Sequence, residues 1–311
     1  MEKKIDTKKL LAVFRIAFAV TATGFLVWYF VKNREDFAKI QGIDLGAFAL
    51  AWGVYFVYKL TLAGLWHFIT KENDCAIPPK KAISAYLYSI LGKYIPGKVF
   101  MLAARLGSYK EEGASLSRVS VCFLIENVCT LIGAAAIFLV SLLFFPNDLL
   151  GGYRWLTILL IAAFLLIIHP RVINFILGII GKLAKRTLHI PMTYPQLLKT
   201  AALFAANWLI VGAGFVVLTL AIYPELAAGE MLYCAGVWGI SAIIGILALF
   251  APSGIGVREG IIIAALSVIM PTEYAAVVAV ASRLWQTIPE LVLAFGGGIF
   301  SRIERKKRSE K

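Results

Sequence analysis

The decapeptide APSGIGVREG, residues 251–260, places a broken backbone and two charges inside long apolar sequence. Its proline and glycines do not favour a regular helix, and the adjacent Arg258 and Glu259 would be costly next to lipid. Backbone amides in hydrocarbon must be hydrogen-bonded, so irregular chain at membrane depth survives only against protein or a water-filled cavity. The stretch therefore predicts a polar site for an ionic substrate. Its candidate residues are Pro252, Gly254, Gly256, Arg258 and Glu259.

A second break, GKYIPGK at 92–98, interrupts the apolar region 84–104. Cationic side chains beside main-chain amides that a broken helix leaves unpaired are the chemistry expected for binding a phosphate. In a purely structural alternative, these cationic side chains extend to the cytoplasmic interface and bind no substrate. The candidate residues of this region are Lys93, Pro96, Gly97, Lys98 and Arg105.

Ionisable residues also occur inside neighbouring apolar runs, where such side chains normally face a partner or a cavity. Glu126 lies in VCFLIENVCTL, and Arg283 and Glu290 lie in VASRLWQTIPEL. About two helical turns separate Arg283 from Glu290, so both fall on roughly one helix face. Two structural alternatives stay open, because Arg258 and Glu259 could neutralise each other and Glu126 could pair with Arg283.

The composition places these charges in an integral membrane protein. Hydrophobic residues make up 60% of the 311 residues, charged residues make up 16%, and the mean hydropathy is +0.82. The net charge of +13 comes from Lys and Arg between the apolar runs and at both ends, which favours an anionic membrane surface over nucleic acid as partner. The four cysteines form no CxxC pair and the three histidines lack ligand spacing, so neither a metal nor another cofactor is expected.

Six apolar runs are long enough to cross a bilayer as helices. Arg15 and Lys59 lie within the first two runs and are interpreted as cations that extend from helix ends to the interface. Segment 171–189 has apolar positions at helical spacing beside basic ones, which predicts an amphipathic helix on the cytoplasmic face. The six runs are 10–31, 46–69, 119–145, 153–169, 197–222 and 275–300.

The two remaining apolar regions, 84–104 and 231–271, contain the breaks and are interpreted as re-entrant hairpins. Most connecting Lys and Arg, together with the basic tail 301–311, then lie on the cytoplasmic side with the N-terminus. The hairpins enter from opposite sides, so their tips could meet near the midplane, as in transporters with inverted repeats. We therefore predict one all-α, polytopic transmembrane domain over 1–311, with six full spans, two broken hairpins, an inverted repeat and cytoplasmic termini.

Several of these stretches resemble a known family: KYIPGKVFMLAAR (93–105), the following span with Glu126, PSGIGVREG (252–260) and SRLW (282–285). They are similar to the transmembrane domain of lysylphosphatidylglycerol synthases and its free-standing relatives, the flippase-like membrane proteins. PSGIGVREG is the most specific element. Two positions depart from the family's pattern, since Phe100 stands where many members carry a further glycine and Asn127 stands where a basic residue often follows the glutamate.

The resemblance implies movement of an anionic lipid, or of a lipid with a modified head group, between leaflets. In full-length synthases a soluble C-terminal domain attaches lysine to phosphatidylglycerol. This chain ends eleven residues after its last predicted span, so we expect a transporter in the cell membrane and not that enzyme. Free-standing relatives are often linked with polyprenyl-phosphate sugars, which makes such a glycolipid a substrate candidate beside a phosphatidylglycerol derivative.

The resulting hypothesis is a flippase in which Arg258, Lys98 and Arg283 attract a phosphate. Three carboxylates would hold the basic groups in the empty site, and one of them could carry a coupling proton. These carboxylates are Glu126, Glu259 and Glu290. Two alternatives stay open: a membrane-embedded enzyme of lipid-linked sugar metabolism, and an accessory scaffold for a partner synthase or glycosyltransferase.

Overall fold

The described part of the chain folds entirely into helices. The computed structural model describes residues 42–94, 99–145, 169–184, 190, 192–248, 251 and 254–309, with isolated positions between 24 and 34 and between 155 and 166. The continuous ranges contain nine α-helices, two short 3₁₀ helices at Ile90–Tyr94 and Ala228–Glu230, and no strand. The α-helices are α1 (Leu45–Glu72), α2 (Pro79–Ser89), α3 (Val99–Lys110), α4 (Leu116–Leu143), α5 (Pro170–Ala184), α6 (Tyr194–Leu220), α7 (Met231–Leu247), α8 (Val257–Leu266) and α9 (Thr272–Ser309).

Helices α1, α4, α6 and α9 coincide with four of the six expected spans. Each contains an apolar segment long enough to cross a membrane, and 28 residues in α1 give a length of about 42 Å at 1.5 Å per residue. Ala228–Leu247, in the second broken region, also meets the length and hydropathy required of a span. The expected spans 10–31 and 153–169 lie largely outside the described residues, so the span count and the orientation of the termini stay predictions.

The first break separates α2 from α3. Helix α2 ends at Ser89, the 3₁₀ helix follows, and α3 begins at Val99. A Cβ atom on Gly92 would lie 2.5 Å from the backbone nitrogen of Met101, so only glycine lets the two limbs approach this closely. The two limbs therefore lie against each other at Gly92 and Met101, and residues 95–98 between them lie outside the described part.

The second break separates α7 from α8 and depends on glycine. Gly254 and Gly256 have φ angles of +68° and +81°, in the left-handed region that side chains with a Cβ disfavour. A Cβ atom on Gly254 would also lie 2.9 Å from the Cα atom of Gly245, so the loop lies directly against the end of α7. Pro252 lies outside the described residues.

The long helices bury a layer of aromatic side chains around α9. Trp285 is fully buried, donates its indole N–H to the carbonyl of Ala51 at 2.7 Å and packs edge-on against the Tyr55 ring. Trp238 of α7 contacts the rings of both Trp285 and Phe215. This layer joins α1, α6, α7 and α9 and fixes the position of α9 in the bundle.

Helix α5 matches the first part of the expected amphipathic segment 171–189. Val172, Phe175 and Ile179 expose their side chains on one side of it, while Ile173 is buried against the core. An exposed apolar face of this kind fits a helix that lies on a membrane surface. Residues 185–189 are outside the described ranges.

Candidate functional site

The interior of the described bundle holds a buried group of charged side chains around Glu290 of α9. Glu290 is 0% exposed and forms ion pairs with Lys59 of α1, at 2.8 Å, and with Lys93 of the first break. The Tyr55 hydroxyl donates to Oε1 of Glu290 at 2.9 Å, and the Gln286 amide Nε2 lies 3.5 Å from the same oxygen. We name the Glu290 cluster as Tyr55, Lys59, Lys93, Arg258, Gln286 and Glu290.

Arg258 of the second break enters this cluster through Gln286. Its Nη1 donates to Oε1 of Gln286 at 2.8 Å, and its guanidinium lies 4.2 Å from the centre of the Trp238 ring. Arg258 is only 9% exposed, yet its Nη2 has no hydrogen-bond partner and no carboxylate forms an ion pair with it within the described ranges. A buried guanidinium in this state favours an anionic ligand, because charge taken out of water needs compensation.

Arg283 and Glu259 form a separate pair, which ties α9 to the second break. Arg283 donates from Nε and Nη2 to the Glu259 carboxylate, and its Nη2 also donates to the carbonyl of Gly254 at 2.9 Å. Oε2 of Glu259 accepts the backbone N–H of Gly256 at 2.7 Å. These contacts hold the loop in shape. The alternative that Arg258 and Glu259 neutralise each other is wrong, because each has a different partner.

Arg105 and Glu126 form the third buried ionic group, between α3 and α4. Arg105 is fully buried, pairs with both oxygens of Glu126 and donates from Nε to Oγ of Ser89 at 3.0 Å. Its guanidinium lies between the rings of Trp66, Tyr86 and Phe123, at 4.2, 4.4 and 5.2 Å from their centres. Arg105 therefore does not extend to the interface, and the alternative pairing of Glu126 with Arg283 is also wrong.

One face of α9 brings the two breaks together. Arg283, Gln286 and Glu290 are spaced three and four residues apart, which places them on the same side of the helix. Gln286 binds Arg258 of the second break, and Glu290 binds Lys93 of the first. The structure thus joins residues from both breaks through a single helix, although Pro96, Gly97, Lys98 and Pro252 lie outside the described residues.

Sequence reasoning missed several members of the Glu290 cluster. Lys59 was expected at a helix end, but it lies near the centre of α1, its side chain is 11% exposed, and it pairs with Glu290. Its position in the middle of an apolar run was the available signal. Gln286, Tyr55 and Trp238 gave none, because uncharged residues of these types are common in membrane helices.

Gly245 was also missed, and it positions Arg258. A Cβ atom at Gly245 would collide with the aliphatic stem of the Arg258 side chain. The stem lies along α7 only because residue 245 has no side chain.

Within the described residues, no group of three His, Cys, Asp or Glu side chains could hold a metal ion.

The described helices form a bundle of apolar segments, and ionised side chains are buried between its two helix breaks. These features define a multi-pass membrane protein with a polar interior. Residues 13–294 match the lysylphosphatidylglycerol synthase TM region, and the chain belongs to this family. The resemblance of the sequence motifs is thereby confirmed, and membership indicates a function related to membrane lipids. No curated protein matches the chain significantly.

Proposed function

We propose that this protein transports a lipid between the leaflets of the cell membrane and binds the head-group phosphate at the Glu290 cluster. The lipid is anionic or carries a modified head group, such as a phosphatidylglycerol derivative or a polyprenyl-phosphate-linked sugar. The observation that carries the proposal is the buried Nη2 of Arg258, which has no partner among the described residues. A phosphate oxygen would supply both the missing acceptor and a compensating charge.

The cluster can hold its cations in the empty state and release them to a ligand. Glu290 binds Lys59 and Lys93 through different oxygens, so an incoming phosphate can take over one lysine while the other stays paired. Arg258 contributes through its free Nη2. Lys98, which lies outside the described residues, is proposed to join the same phosphate. The hydrophobic chain of the lipid would remain in the bilayer.

In this proposal, the other two ionic groups hold the two breaks in position. The Arg283 and Glu259 pair fixes the loop before α8, which carries Arg258, and the Arg105 and Glu126 pair fixes α3 against α4. Arg283 is therefore assigned to the loop more than to the phosphate. Basic cytoplasmic segments and α5 would concentrate anionic lipid at the entrance.

The experiment is a transport assay with the purified chain in vesicles that contain a fluorescently labelled anionic lipid. Arg258→Ala should lower the transport rate by about 10- to 100-fold, the effect expected from losing one charged hydrogen bond. Arg118→Ala is the matched control, because Arg118 is half-exposed and pairs only with the exposed Asp74 at 3.7 Å, within the described residues. If Arg258→Ala transports at the wild-type rate, the site assignment is wrong.

Two other functions predict different results in the same preparation. A membrane-embedded enzyme of lipid-linked sugar metabolism would form product in detergent without closed vesicles. A scaffold for a partner synthase or glycosyltransferase would show no transport alone and would gain it, or a product, when the partner is added. The transporter is favoured because the buried cations surround the single carboxylate of Glu290, and the Nη2 of Arg258 beside them has no hydrogen-bond partner among the described residues.

A further inference from the structure

An uncharged side chain, Gln286 of α9, holds the buried Arg258 in place. Its Oε1 accepts a hydrogen bond from Nη1 of Arg258 at 2.8 Å, and its Nε2 lies 3.5 Å from Oε1 of Glu290. We infer that Gln286 is a positioning residue of the lipid site, which orients the Arg258 guanidinium toward a head-group phosphate and leaves its charge for that phosphate to compensate. This inference rests on the proposed function, in which Arg258 binds the phosphate.

Nonpolar contacts fix the stem and one face of the Arg258 side chain. A Cβ atom on Gly245 would collide with Cγ of Arg258, and a Cβ atom on Gly254 would lie 3.0 Å from the same atom, so the stem passes closely between two glycines. The guanidinium lies 4.2 Å from the centre of the Trp238 ring. A planar group held against a ring can still turn within its own plane. The hydrogen bond from Nη1 to Gln286 removes that freedom and thereby sets the direction in which Nη2 points.

Glutamine suits this position because its amide has an acceptor at one end and a donor at the other. Gln286 and Glu290 are four residues apart on α9, so their side chains lie on the same side of the helix. The cationic Arg258 attracts the amide oxygen, and the anionic Glu290 attracts the amide nitrogen. Both neighbours therefore favour the same amide orientation, in which the oxygen faces Arg258. A carboxylate has no donor for Glu290, and an apolar side chain has neither group.

The charge of its partner distinguishes Arg258 from Arg105, which is also buried. Arg105 pairs with the carboxylate of Glu126, so its charge is compensated inside the protein. Arg258 has an amide oxygen in the corresponding role, and its Nη2 has no partner among the described residues. A carboxylate at residue 286 would give Arg258 the same internal compensation that Arg105 has. The neutrality of Gln286 therefore keeps Arg258 available to an anionic ligand.

The first test replaces the amide by a carboxylate of the same size. The purified full-length chain and its Gln286→Glu variant are titrated calorimetrically in detergent with dioctanoyl phosphatidylglycerol. We expect Gln286→Glu to bind this lipid about 10- to 100-fold more weakly, because a carboxylate at residue 286 compensates Arg258 and competes with the phosphate. Affinity within about twofold of the wild type overturns the inference.

The matched control is Gln286→Met, which has a similar length but neither the amide nor a charge. It should bind the lipid about 3- to 10-fold more weakly, because Nη1 of Arg258 loses its acceptor and the guanidinium is no longer oriented. Its midpoint of thermal unfolding without lipid should be lower than that of Gln286→Glu, since the carboxylate keeps the bond to Arg258. The variant that binds lipid more weakly is thus the more stable one. If both variants fold and the less stable one also binds more weakly, Gln286 has only a structural role and the inference is overturned.

A second test asks whether Gln286 acts through Arg258. Gln286→Met is combined with Arg258→Met, and the lipid affinities of the wild type, the two single variants and the double variant are compared. Because both substitutions remove parts of one interaction, Gln286→Met should weaken binding less than about twofold once Arg258 is absent. The same fold loss in both backgrounds means that Gln286 acts independently of Arg258 and overturns the inference. This comparison needs no Gln286→Glu and decides the question if that variant does not fold.

The outcomes also separate the role of Gln286 from the proposed function. If the wild type binds the lipid and Arg258→Met loses that binding, but both Gln286 variants bind as the wild type does, only the role of Gln286 is wrong. If the wild type and Arg258→Met bind alike, the proposed phosphate site is wrong as well. Inorganic phosphate is titrated in parallel and should bind at least about 10-fold more weakly than the lipid, because it has no apolar chains to bury. Equal affinity would assign the site to a soluble phosphate and overturn the lipid site.

Discussion

At the scale of single residues, two buried arginines have opposite surroundings. Arg105 is enclosed by three aromatic rings and has a carboxylate partner, Glu126, so its charge is compensated within the protein. Arg258 has one aromatic ring and an amide oxygen, and within the described ranges nothing compensates its charge. The first arrangement is complete without a ligand, whereas the second is the one that we propose a phosphate completes.

This contrast predicts opposite effects on stability. Glu126→Gln leaves the Arg105 guanidinium buried without a carboxylate, which should cost about 3–5 kcal/mol of unfolding free energy. Arg258→Met removes an uncompensated charge and should leave the stability of the lipid-free protein unchanged or higher, although transport is lost. Thermal unfolding in detergent measures both. A destabilisation of Arg258→Met as large as that of Glu126→Gln would show that Arg258 is a structural residue.

At the scale of helices and loops, side chains bind the second break at two backbone positions. Gly254 and Gly256 supply the two left-handed backbone positions and are also the bound residues, since Arg283 donates to the carbonyl of Gly254 and Glu259 accepts the backbone N–H of Gly256. The loop therefore presents Arg258 from a fixed position at the beginning of α8. The two breaks position Lys93 and Arg258, and α9 supplies the partners of both.

The rigidity of this loop is tested by alanine at two glycines of the same segment. Gly254→Ala should lower the unfolding free energy by about 1–2 kcal/mol, because alanine is strained at a φ of +68° and its Cβ would crowd Gly245. Transport should fall with it, since Arg258 is displaced. Gly260→Ala is the control, because its Cβ meets nothing within 4 Å and alanine favours a helix by up to about 1 kcal/mol. Equal stability and transport in the two variants would exclude a fixed loop.

The sequence predicted what is local and missed what depends on packing. Apolar length identified α1, α4, α6 and α9, and the proline and glycine clusters indicated both interrupted regions, because backbone preference acts within a few residues. Arg258 and Glu259 are neighbours in sequence but point about 100° apart on a helix, so their partners come from elsewhere. Which partner each one meets depends on how α9 packs against α8, and the sequence does not encode that in any short motif.

At the scale of the whole molecule, residues from distant parts of the chain converge on α9. Lys59 arrives from α1, Lys93 from the first break and Arg258 from the second. For both breaks to line one polar site within a bilayer, the simplest topology brings the hairpins in from opposite sides. That topology requires the region 84–104 and the region 231–271 each to return to its own side, and it places both termini in the cytoplasm.

The topology is decided by labelling single cysteines with a membrane-impermeant thiol reagent. The native cysteines Cys75, Cys122, Cys129 and Cys234 are all buried, so background labelling should be low. Lys39→Cys should react in intact cells, and Ser309→Cys should react only after the membrane is permeabilised. Five spans follow residue 39 in the predicted topology. An odd number of crossings places residue 309 on the opposite side of the membrane from residue 39, so the two cysteines should differ in labelling.

If Ser309→Cys reacts in intact cells together with Lys39→Cys, one interrupted region crosses the membrane completely. Ala228–Leu247 is the first candidate, because it is long and apolar enough to span. The hairpins would then not both be re-entrant. The two breaks could still meet at Glu290, since that contact is a property of the packed helices, but the symmetry expected of an inverted repeat would be lost. The charge on the C-terminal tail makes the cytoplasmic position the expected result.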